Sequence, residues 1–439
     1  MKFKSTLWQL LLLSGPIVVG QVGQILIGAG DVFIAGLHST HTLAATGVAI
    51  GFFTPFLIFS IGLVMGLSSL FSIKIGEGKQ MNNKLFTVIT YSSLVGLVLC
   101  LLLLFSIDLL PLIGIEKSLI DFSSVFLEII AWSIVPATIF YGLKEYLQAS
   151  EDVAFANAIN LIAVVVNLAL NYVLVFGIFG FEGLGEIGLP IASLVIRCLL
   201  CLALILYIVR KYHWGKFELP LVIEVFKYSL PIAISFTLEI LAFSMVAVLA
   251  GTLGVIQAAA GNVVNLISTI LFMVPLSVSS AVGVKVGAAF GNNNNHRVLS
   301  NIKASYIIIG VYAALSSSLL ILIPESFLQL FSSDPDVIAM GISVCLIIAL
   351  FQIFDSCHVT TAGILRGMGE TKIPSYIVLF AFWVVGIPSG YYLTFYNDGG
   401  LAGLWIGLAI GLAIASIALL TLLYKHYSSN SRDNKVMVK

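Results

Sequence analysis

The sequence predicts an all-α polytopic membrane protein with twelve transmembrane helices arranged as two parallel six-helix repeats. Three observations support this fold class. Hydrophobic residues make up 59% of the 439 residues and charged residues only 10%, whereas about a quarter of a soluble chain is charged. The mean hydropathy is +1.10, and polar breaks separate apolar runs that are long enough to cross a bilayer. The second half of the chain also resembles the first half.

A helix needs roughly 20 apolar residues to cross the hydrocarbon core of a bilayer. Polar or turn-forming segments interrupt the chain at 74–79, 291–295, 334–336 and 397–400, and such segments favour loops. The stretches between breaks predict spans at 7–36, 43–72, 85–111, 119–143, 153–177, 188–210, 222–251, 256–288, 299–323, 336–364, 374–396 and 402–424. Prolines inside these spans each remove a backbone donor and allow a bend; they include those at positions 16, 55, 136, 231, 275 and 388.

Lysine and arginine residues predict the orientation, because short cytoplasmic loops are enriched in them. With the amino terminus inside, all but two of the 21 basic residues fall in cytoplasmic loops, in tails or at inner helix ends. Lys117 lies outside and Arg197 lies within the sixth span. We therefore expect a multi-pass membrane protein with both termini in the cytoplasm.

An internal repeat relates the two halves of the chain at an offset of about 215 residues. Pro16 corresponds to Pro231, and residues 35–36 (Ala-Gly) correspond to 250–251 (Ala-Gly). Each half contains six spans, so both halves keep the same orientation in the membrane. The repeat predicts an N-lobe at 1–213 with transmembrane helices 1–6. It predicts a C-lobe at 214–439 with helices 7–12 and a short cytoplasmic C-terminal tail.

Two repeated helix bundles are common in secondary transporters, which move one bundle against the other around a midplane site. The chain has no soluble segment that could hold a nucleotide-binding domain and no GxxxxGK[ST] motif, so we expect no nucleotide partner. The net charge is zero, which gives no basic face for nucleic acid. We expect a monomer in the lipid bilayer, with no cofactor and with an ion gradient as energy source.

Ionisable residues inside membrane spans are functional candidates, because burying them in hydrocarbon costs free energy. Asp31 lies in the first span, and Asn167 and Asn171 lie four residues apart on one face of the fifth. One carboxylate and two amide carbonyls can form an all-oxygen cation site or hold a proton. The alternative is an interhelical hydrogen-bond cluster that only packs the bundle.

Two further acids, Glu239 and Asp355, lie in the middle of the seventh and tenth spans. With no basic residue predicted nearby, they repel each other when both are ionised, which suits a site that exchanges a proton or Na⁺. They are also candidates to bind an organic cation, with the ring of Phe351 and the amide of Asn262 as further contacts. The alternative is that each acid is protonated and hydrogen-bonded. No metal other than Na⁺ at these cation-coupling residues is expected.

Two other charged residues in the spans, Glu128 and Arg197, have no evident function in the sequence. They lie in the fourth and sixth spans of the same half. A structural ion pair between these helices is the interpretation that we favour.

At these residues the chain resembles the multidrug and toxic compound extrusion (MATE) family, in its NorM-like branch. The similarity covers nearly all twelve spans, and its most specific stretches are GDVFIAG at 30–36, NLALNY at 167–172, LEI at 238–240, MVPLS at 273–277 and AGILRG at 362–367. The resemblance implies a V-shaped pair of six-helix lobes. It also implies export of amphipathic organic cations in exchange for Na⁺ or H⁺.

By the same resemblance, Asp31, Asn167 and Asn171 form the N-lobe cation site, and Glu239 and Asp355 form the acidic pair of the C-lobe. The chain departs from that branch at two positions. Phe351 stands where a tyrosine is expected, and Gly261 stands where a histidine is frequent. The lost hydroxyl removes one oxygen from the cation shell expected in the C-lobe.

Two other functions are alternatives to an antiporter. A flippase for lipid-linked precursors, from the related superfamily, would need a cationic cavity for a pyrophosphate, and Arg197 is the single base inside a span. An intramembrane enzyme would need paired His and Asp or an HExxH motif at membrane depth. His358, three residues after Asp355, is the single histidine in a span, and no nucleophile accompanies it. We therefore expect a transporter rather than an enzyme.

Overall fold

A computed structural model describes residues 3–113, 117–178 and 182–436, without the side chains of 113, 117–118 and 429–436. Helices account for almost all of this part of the chain, which contains no β-strand. Their bounds are α1 Phe3–His38, α2 Thr40–Gly76, α3 Leu85–Ser106, α4 Lys117–Ala131, α5 Ile134–Ala149, α6 Ala154–Phe176, α7 Gly188–Ile208, α8 Leu219–Thr252, α9 Val255–Gly291, α10 Asn295–Leu322, α11 Pro324–Gln329, α12 Pro335–Gly367, α13 Lys372–Phe380, α14 Ile387–Phe395 and α15 Gly400–Val436.

The helices confirm the predicted all-α membrane fold and provide eleven or twelve candidate spans. Eleven described segments are long and apolar enough to cross a bilayer, and the bent pair α4–α5 makes a twelfth. Each of the twelve predicted spans falls on one of them. The breaks predicted from turn chemistry separate α2 from α3, α9 from α10, α11 from α12 and α14 from α15.

Two spans depart from a regular α-helix near a proline. The fourth span bends by 42° between α4 and α5, at Trp132 and Ser133. Pro136 has no backbone N–H to donate to the carbonyl of Trp132, four residues earlier, so the helical ladder is interrupted there. In the eleventh span, six residues of π-helix at Ala381–Gly386 precede Pro388, near the start of α14.

Capping side chains begin several helices at the predicted breaks. The side chain of Asp334 accepts hydrogen bonds from the backbone N–H groups of Asp336 and Val337, at 2.9 and 3.4 Å, and Pro335 occupies the first turn of α12. Asn294 accepts from the backbone N–H of Arg297 at 3.0 Å and begins α10. These contacts satisfy N–H groups that a helix leaves without an intrahelical partner.

The chain divides into two compact units. The amino-terminal unit contains Pro16–Phe71 and Lys79–Ile234, and the carboxy-terminal unit contains Met1–Gly15, Ser72–Gly78 and Ser235–Lys439. Within the amino-terminal unit, α7 packs against α4, α5 and α6. Within the carboxy-terminal unit, α12 packs against α9, α10 and α15. The division into lobes at residue 213, taken from the repeat, stays a prediction.

The segment between α7 and α8 is attached to the amino-terminal unit. The Phe86 backbone N–H donates to the Trp214 carbonyl at 2.9 Å, and Lys84 forms an ion pair with Glu218. Gly215 has a φ of +68°, and a Cβ at this position would lie 1.6 Å from the carbonyl oxygen of residue 83. Only glycine fits this close approach without displacing the backbone.

Lys211, in the same segment, makes an ion pair with the turn between α5 and α6. Its ammonium group donates to Asp152 at 2.8 Å, and this hydrogen bond raises the pKa of Lys211 above its ordinary value. Tyr207 donates to the same carboxylate at 3.0 Å. Asp152 therefore holds the end of α7 and the start of the following segment together.

Glycines also permit helices to approach closely in the carboxy-terminal unit. A Cβ on Gly363 of α12 would lie 2.3 Å from the Ser279 hydroxyl of α9, and one on Gly367 would lie 2.5 Å from the Gly283 carbonyl. Small residues at such positions allow membrane helices to pack with their backbones close together. This contact holds α12 against α9 at residues that follow Asp355 and His358 along α12.

A first prediction concerns the contact between α14 and α15. A Cβ on Gly407 would lie 2.3 Å from the Gly390 backbone and 2.6 Å from the Gly386 carbonyl, whereas a Cβ on Gly310 of α10 meets no atom within 4 Å. We expect Gly407→Ala to lower the free energy of unfolding by about 1–3 kcal/mol through overpacking. Gly310→Ala should leave it unchanged or raise it slightly. Unfolding of both variants in one detergent measures the difference, and equal stabilities would contradict the close contact.

Candidate functional site

The first predicted site lies in the amino-terminal unit, where α1 meets α6. Gly20 and Gly23 of α1 have no side chain to keep α6 away. A Cβ on Gly20 would lie 2.0 Å from the side-chain oxygen of Asn157, and one on Gly23 would lie 3.2 Å from the carbonyl of Asn160. The Asn160 side chain donates to the Gly20 carbonyl at 3.4 Å. Polar side chains of the two helices can therefore meet directly further along.

Asp31 is buried in this interface and accepts two hydrogen bonds. The Asn171 amide donates to one carboxylate oxygen at 2.6 Å, and the Ser193 hydroxyl of α7 donates to the other at 2.7 Å. Asn171 also donates to the Asn167 side-chain oxygen at 3.2 Å. The structure brings together all three residues that the sequence predicted and adds Ser193. Carboxylate, amide and hydroxyl oxygens are the ligands of hard cations such as Na⁺.

Four asparagines line the buried face of α6, where the sequence analysis identified two. Asn157 and Asn160 lie toward the start of the helix, Asn167 and Asn171 toward its end, and all four are buried. In each of them one polar atom has no hydrogen-bond partner among the described residues, namely Oδ1 of Asn157, Asn160 and Asn171 and Nδ2 of Asn167. Their spacing of three, seven and four residues follows one helix face, a pattern that is visible in the sequence.

The predicted ion pair between Glu128 and Arg197 does not form. Glu128 is exposed on α4, and no ion pair joins it to Arg197 in the described part of the chain. Arg197 instead donates to the Ser133 hydroxyl at 2.6 Å, and its guanidinium carbon lies 4.8 Å from the centre of the Phe53 ring. Arg197 is near enough to Asp31 for an electrostatic interaction. The guanidinium therefore faces inward, because that side offers a carboxylate and an aromatic ring.

The second predicted site lies in the carboxy-terminal unit, between α8 and α12. Glu239 and Asp355 are buried, and His358 is buried beside them. Each residue offers a ligand atom, and these three atoms lie within 4.8 Å of one another. The Nδ1 atom of His358 lies 3.9 Å from an Asp355 oxygen. The structure confirms that the two acids lie close together and adds an imidazole that the sequence analysis had not assigned to the site.

The ring of Phe351, predicted to contact substrate, lies in an aromatic cluster. It packs edge to face on Trp405 at 5.5 Å and on Phe243 at 6.0 Å between ring centres. Phe243 also lies 6.0 Å from Phe382, whose ring lies 6.4 Å from the imidazole of His358. The cluster forms one apolar side of the acidic site.

Asn262, the other predicted contact for substrate, is exposed on α9, and no contact with either acid is present among the described residues. Its neighbour Gly261 is buried in a tight place. A Cβ there would lie 3.2 Å from a methyl group of Leu401 and 3.4 Å from the Ala250 methyl group. Glycine at 261 therefore suits the close packing of α9, and a histidine at this position would need the neighbours to move.

The sequence contained a signal for the two site residues that it did not assign. His358 follows Asp355 by three residues on α12, and this spacing places two side chains on the same helix face. For Ser193 the signal is weaker, because serine is common in membrane helices and its partner Asp31 lies 162 residues away along the chain. Its contact depends on the packing of α7 against α6.

The corresponding positions of the second half contain no polar chemistry. By the repeat, Asp31 corresponds to Val246, and Asn167 and Asn171 correspond to Gly386 and Gly390. Val246 is buried. The two glycines face the backbone of α15, so that a Cβ on Gly390 would lie 3.2 Å from the Leu404 carbonyl. The same positions therefore form a polar site in one half and a helix contact in the other.

Comparisons with known proteins agree with the fold of membrane helices. The profile of the MatE family matches residues 16–173 and 231–392. The chain is 30% identical to the "Probable multidrug resistance protein NorM" of Acinetobacter baylyi, over 97% of both chains. It is 32% identical to the protein of the same name from Xanthomonas campestris pv. campestris, over 93% of this chain and 92% of that protein.

Among solved structures, a eukaryotic MATE transporter has the same fold, with a TM-score of 0.88, 23% sequence identity and 100% of both chains covered. The comparisons confirm the family resemblance drawn from the sequence, and the family is one of transporters rather than enzymes. Because the family profile matches most of the chain and the relatives align over nearly its full length, the chain belongs to the MatE family of multi-pass membrane transporters.

Proposed function

We propose that the chain exports amphipathic organic cations from the cytoplasm in exchange for Na⁺ or H⁺, by alternating access. One observation carries the proposal: three carboxylates lie buried within membrane-spanning helices. Asp31 is 6% exposed, Glu239 8% and Asp355 3%. Within the described residues, no lysine or arginine forms an ion pair with any of them. A buried carboxylate that is not in an ion pair with a cationic side chain attracts a mobile cation.

The names of the relatives support export of drugs. Both bacterial relatives are called probable multidrug resistance proteins. An organic cation and a coupling ion carry charge of the same sign, so each can balance the same carboxylates. Two ligands that compete for one set of charges, or that bind opposite conformers, are coupled by linkage. Binding of Na⁺ or H⁺ from outside then favours release of the drug.

The contacts of Arg197 argue against the flippase alternative. A lipid-linked pyrophosphate would need free cationic groups in the membrane. The guanidinium of Arg197 is already in contact with the Ser133 hydroxyl and the Phe53 ring, and it interacts electrostatically with Asp31. The guanidinium of Arg197 therefore already has partners within the amino-terminal unit.

Location and orientation belong to the same proposal. We place the chain as a monomer in the bacterial inner membrane, since the named relatives are bacterial. Both termini lie in the cytoplasm by the distribution of lysine and arginine. An impermeant thiol reagent added to whole cells should not label a cysteine placed at Lys4. It should label one placed at Asp398, and the reverse pattern would contradict the orientation.

The coupling ion can be identified by transport into vesicles under independently imposed gradients. Purified protein in proteoliposomes is given either a Na⁺ gradient at equal pH or a pH gradient without Na⁺, and ethidium movement is followed by fluorescence. Movement driven by one gradient identifies the ion. If ethidium moves under neither gradient, the antiport is contradicted.

A second prediction concerns the acidic pair of the carboxy-terminal unit. Glu239→Gln and Asp355→Asn remove the charge and keep the side-chain size, so ethidium efflux should fall at least tenfold in each variant. The matched control is Glu128→Gln, which changes an exposed acid of a membrane helix and should leave efflux unchanged. Protein level and unfolding temperature are measured for all three variants. Undiminished efflux in both acid variants that still fold would contradict the assignment.

A third prediction concerns the amino-terminal site. Asp31→Asn should abolish efflux while the protein still folds, because an amide can accept from Asn171 and donate to Ser193. Ser193→Ala removes a hydrogen bond to a charged group and should lower the free energy of unfolding by about 1.5–3 kcal/mol. Ser193→Thr keeps the hydroxyl and should retain most of the stability. Asp121→Asn, at an exposed acid of α4, is the control for efflux.

A further inference from the structure

A buried imidazole completes a cluster of three metal-ligand groups in the carboxy-terminal unit. Glu239 comes from α8, and Asp355 and His358 come from α12. One ligand atom of each residue lies within 4.8 Å of those of the other two. Ligand atoms bound to one tetrahedral Zn²⁺ ion lie about 3.3 Å apart, given bonds of about 2.0–2.2 Å. The separations in the structure therefore exceed those around a bound ion by at most about 1.5 Å.

The imidazole has an unused nitrogen that points into this cluster. The side chain of His358 is only 3% exposed, and its Nδ1 atom has no hydrogen-bond partner among the described residues. The nearest acidic oxygen, on Asp355, lies 3.9 Å away, which is too long for a hydrogen bond. A buried nitrogen without a partner is costly, and coordination of a metal ion would satisfy it.

The composition of the cluster selects the class of ion. A nitrogen ligand suits zinc, copper, nickel and iron, whereas Na⁺, Mg²⁺ and Ca²⁺ prefer sites made of oxygen alone. Two ionised carboxylates and a neutral imidazole carry a charge of minus two, which a divalent cation neutralises completely. A monovalent cation would leave one negative charge buried beside the apolar rings of Phe351 and Phe382.

We propose that Glu239, Asp355 and His358 form a binding site for a divalent transition-metal ion, with Zn²⁺ as the representative ligand. The site has three protein ligands, so the fourth position of a tetrahedral ion stays open. Such an open site allows the ion to exchange. The open position distinguishes the site from a closed structural one.

Bound Zn²⁺ has a direct consequence for transport, and this part rests on the proposed function. The metal occupies the two carboxylates that would otherwise receive the coupling ion. An ion that binds the same carboxylates more tightly holds the site in its occupied state and stops the exchange cycle. Micromolar Zn²⁺ should therefore inhibit ethidium efflux by the wild-type protein.

Metal binding can be measured without any transport. Purified full-length protein in detergent is titrated with Zn²⁺ against a fluorescent chelator, and one ion per chain is expected. His358→Gln, which keeps the size of the side chain and both carboxylates, should weaken binding at least tenfold. His213→Gln, at an exposed histidine between α7 and α8, should bind as the wild type does. Titration with Co²⁺ should give the visible absorption of a tetrahedral ion in the wild type and lose it in His358→Gln.

Two results would overturn the proposal: no stoichiometric Zn²⁺ binding by the wild type, or equal binding by wild type and His358→Gln. The first result needs only the wild-type titration, so it can be obtained even if His358→Gln fails to fold. The proposed function is tested separately, because Zn²⁺ binding without efflux would refute the antiport and leave the metal site intact. Efflux that Zn²⁺ does not inhibit, in a protein that binds the ion, would refute the competition with the coupling ion.

Discussion

A carboxylate inside a bilayer-spanning helix needs a compensating partner, since at the helix centre it costs about 2.5–3.5 kcal/mol on insertion scales. Three such acids define the candidate sites of this protein. Asp31 is compensated by donors on two other helices, through Asn171 and Ser193. Glu239 and Asp355 have the imidazole of His358 beside them. Both carboxylate oxygens of Asp31 accept a hydrogen bond, whereas the imidazole beside the acidic pair has an unsatisfied nitrogen.

Small residues create the space in which these polar groups meet. Gly20 and Gly23 let α6 approach α1, and Gly363 and Gly367 let α9 approach α12. Hydrophobic association contributes little between helices in lipid, so close backbone packing and interhelical hydrogen bonds hold the bundle together. Larger side chains at these positions would separate the helices that carry the acids. The glycines are therefore part of the site although they contact no ligand.

The two halves share a pattern of helices and differ in their chemistry. Asp31 has Val246 as its counterpart, and Asn171 has Gly390. The glycine lies against α15, where an asparagine would not fit without a shift of the backbone. In the second half the acids instead lie on α8 and α12. Residues that served only to pack a repeated fold would be expected at equivalent places in both halves.

Much of this protein follows from the sequence alone, because the physics involved is local. The length of an apolar run decides whether a helix can cross a bilayer, so all twelve spans and their loops were predictable. Pro136 and Pro388, two of the six prolines named from the sequence, lie beside the bend of the fourth span and the π-helical stretch of the eleventh. Buried acids are rare enough in membrane helices that Asp31, Glu239 and Asp355 could be identified as candidates without a structure.

Tertiary packing decided which side chains meet. The sequence suggested that Arg197 pairs with Glu128, but the guanidinium faces Ser133 and Phe53 while Glu128 is exposed. The sequence analysis identified two asparagines at the amino-terminal site, and the packing of α1 on α6 brought Asn157 and Asn160 against Gly20 and Gly23. Ser193 and His358 joined the sites because contacts between helices depend on rotation and bending about each axis. Those angles result from the packing of many side chains, and no single stretch of sequence contains them.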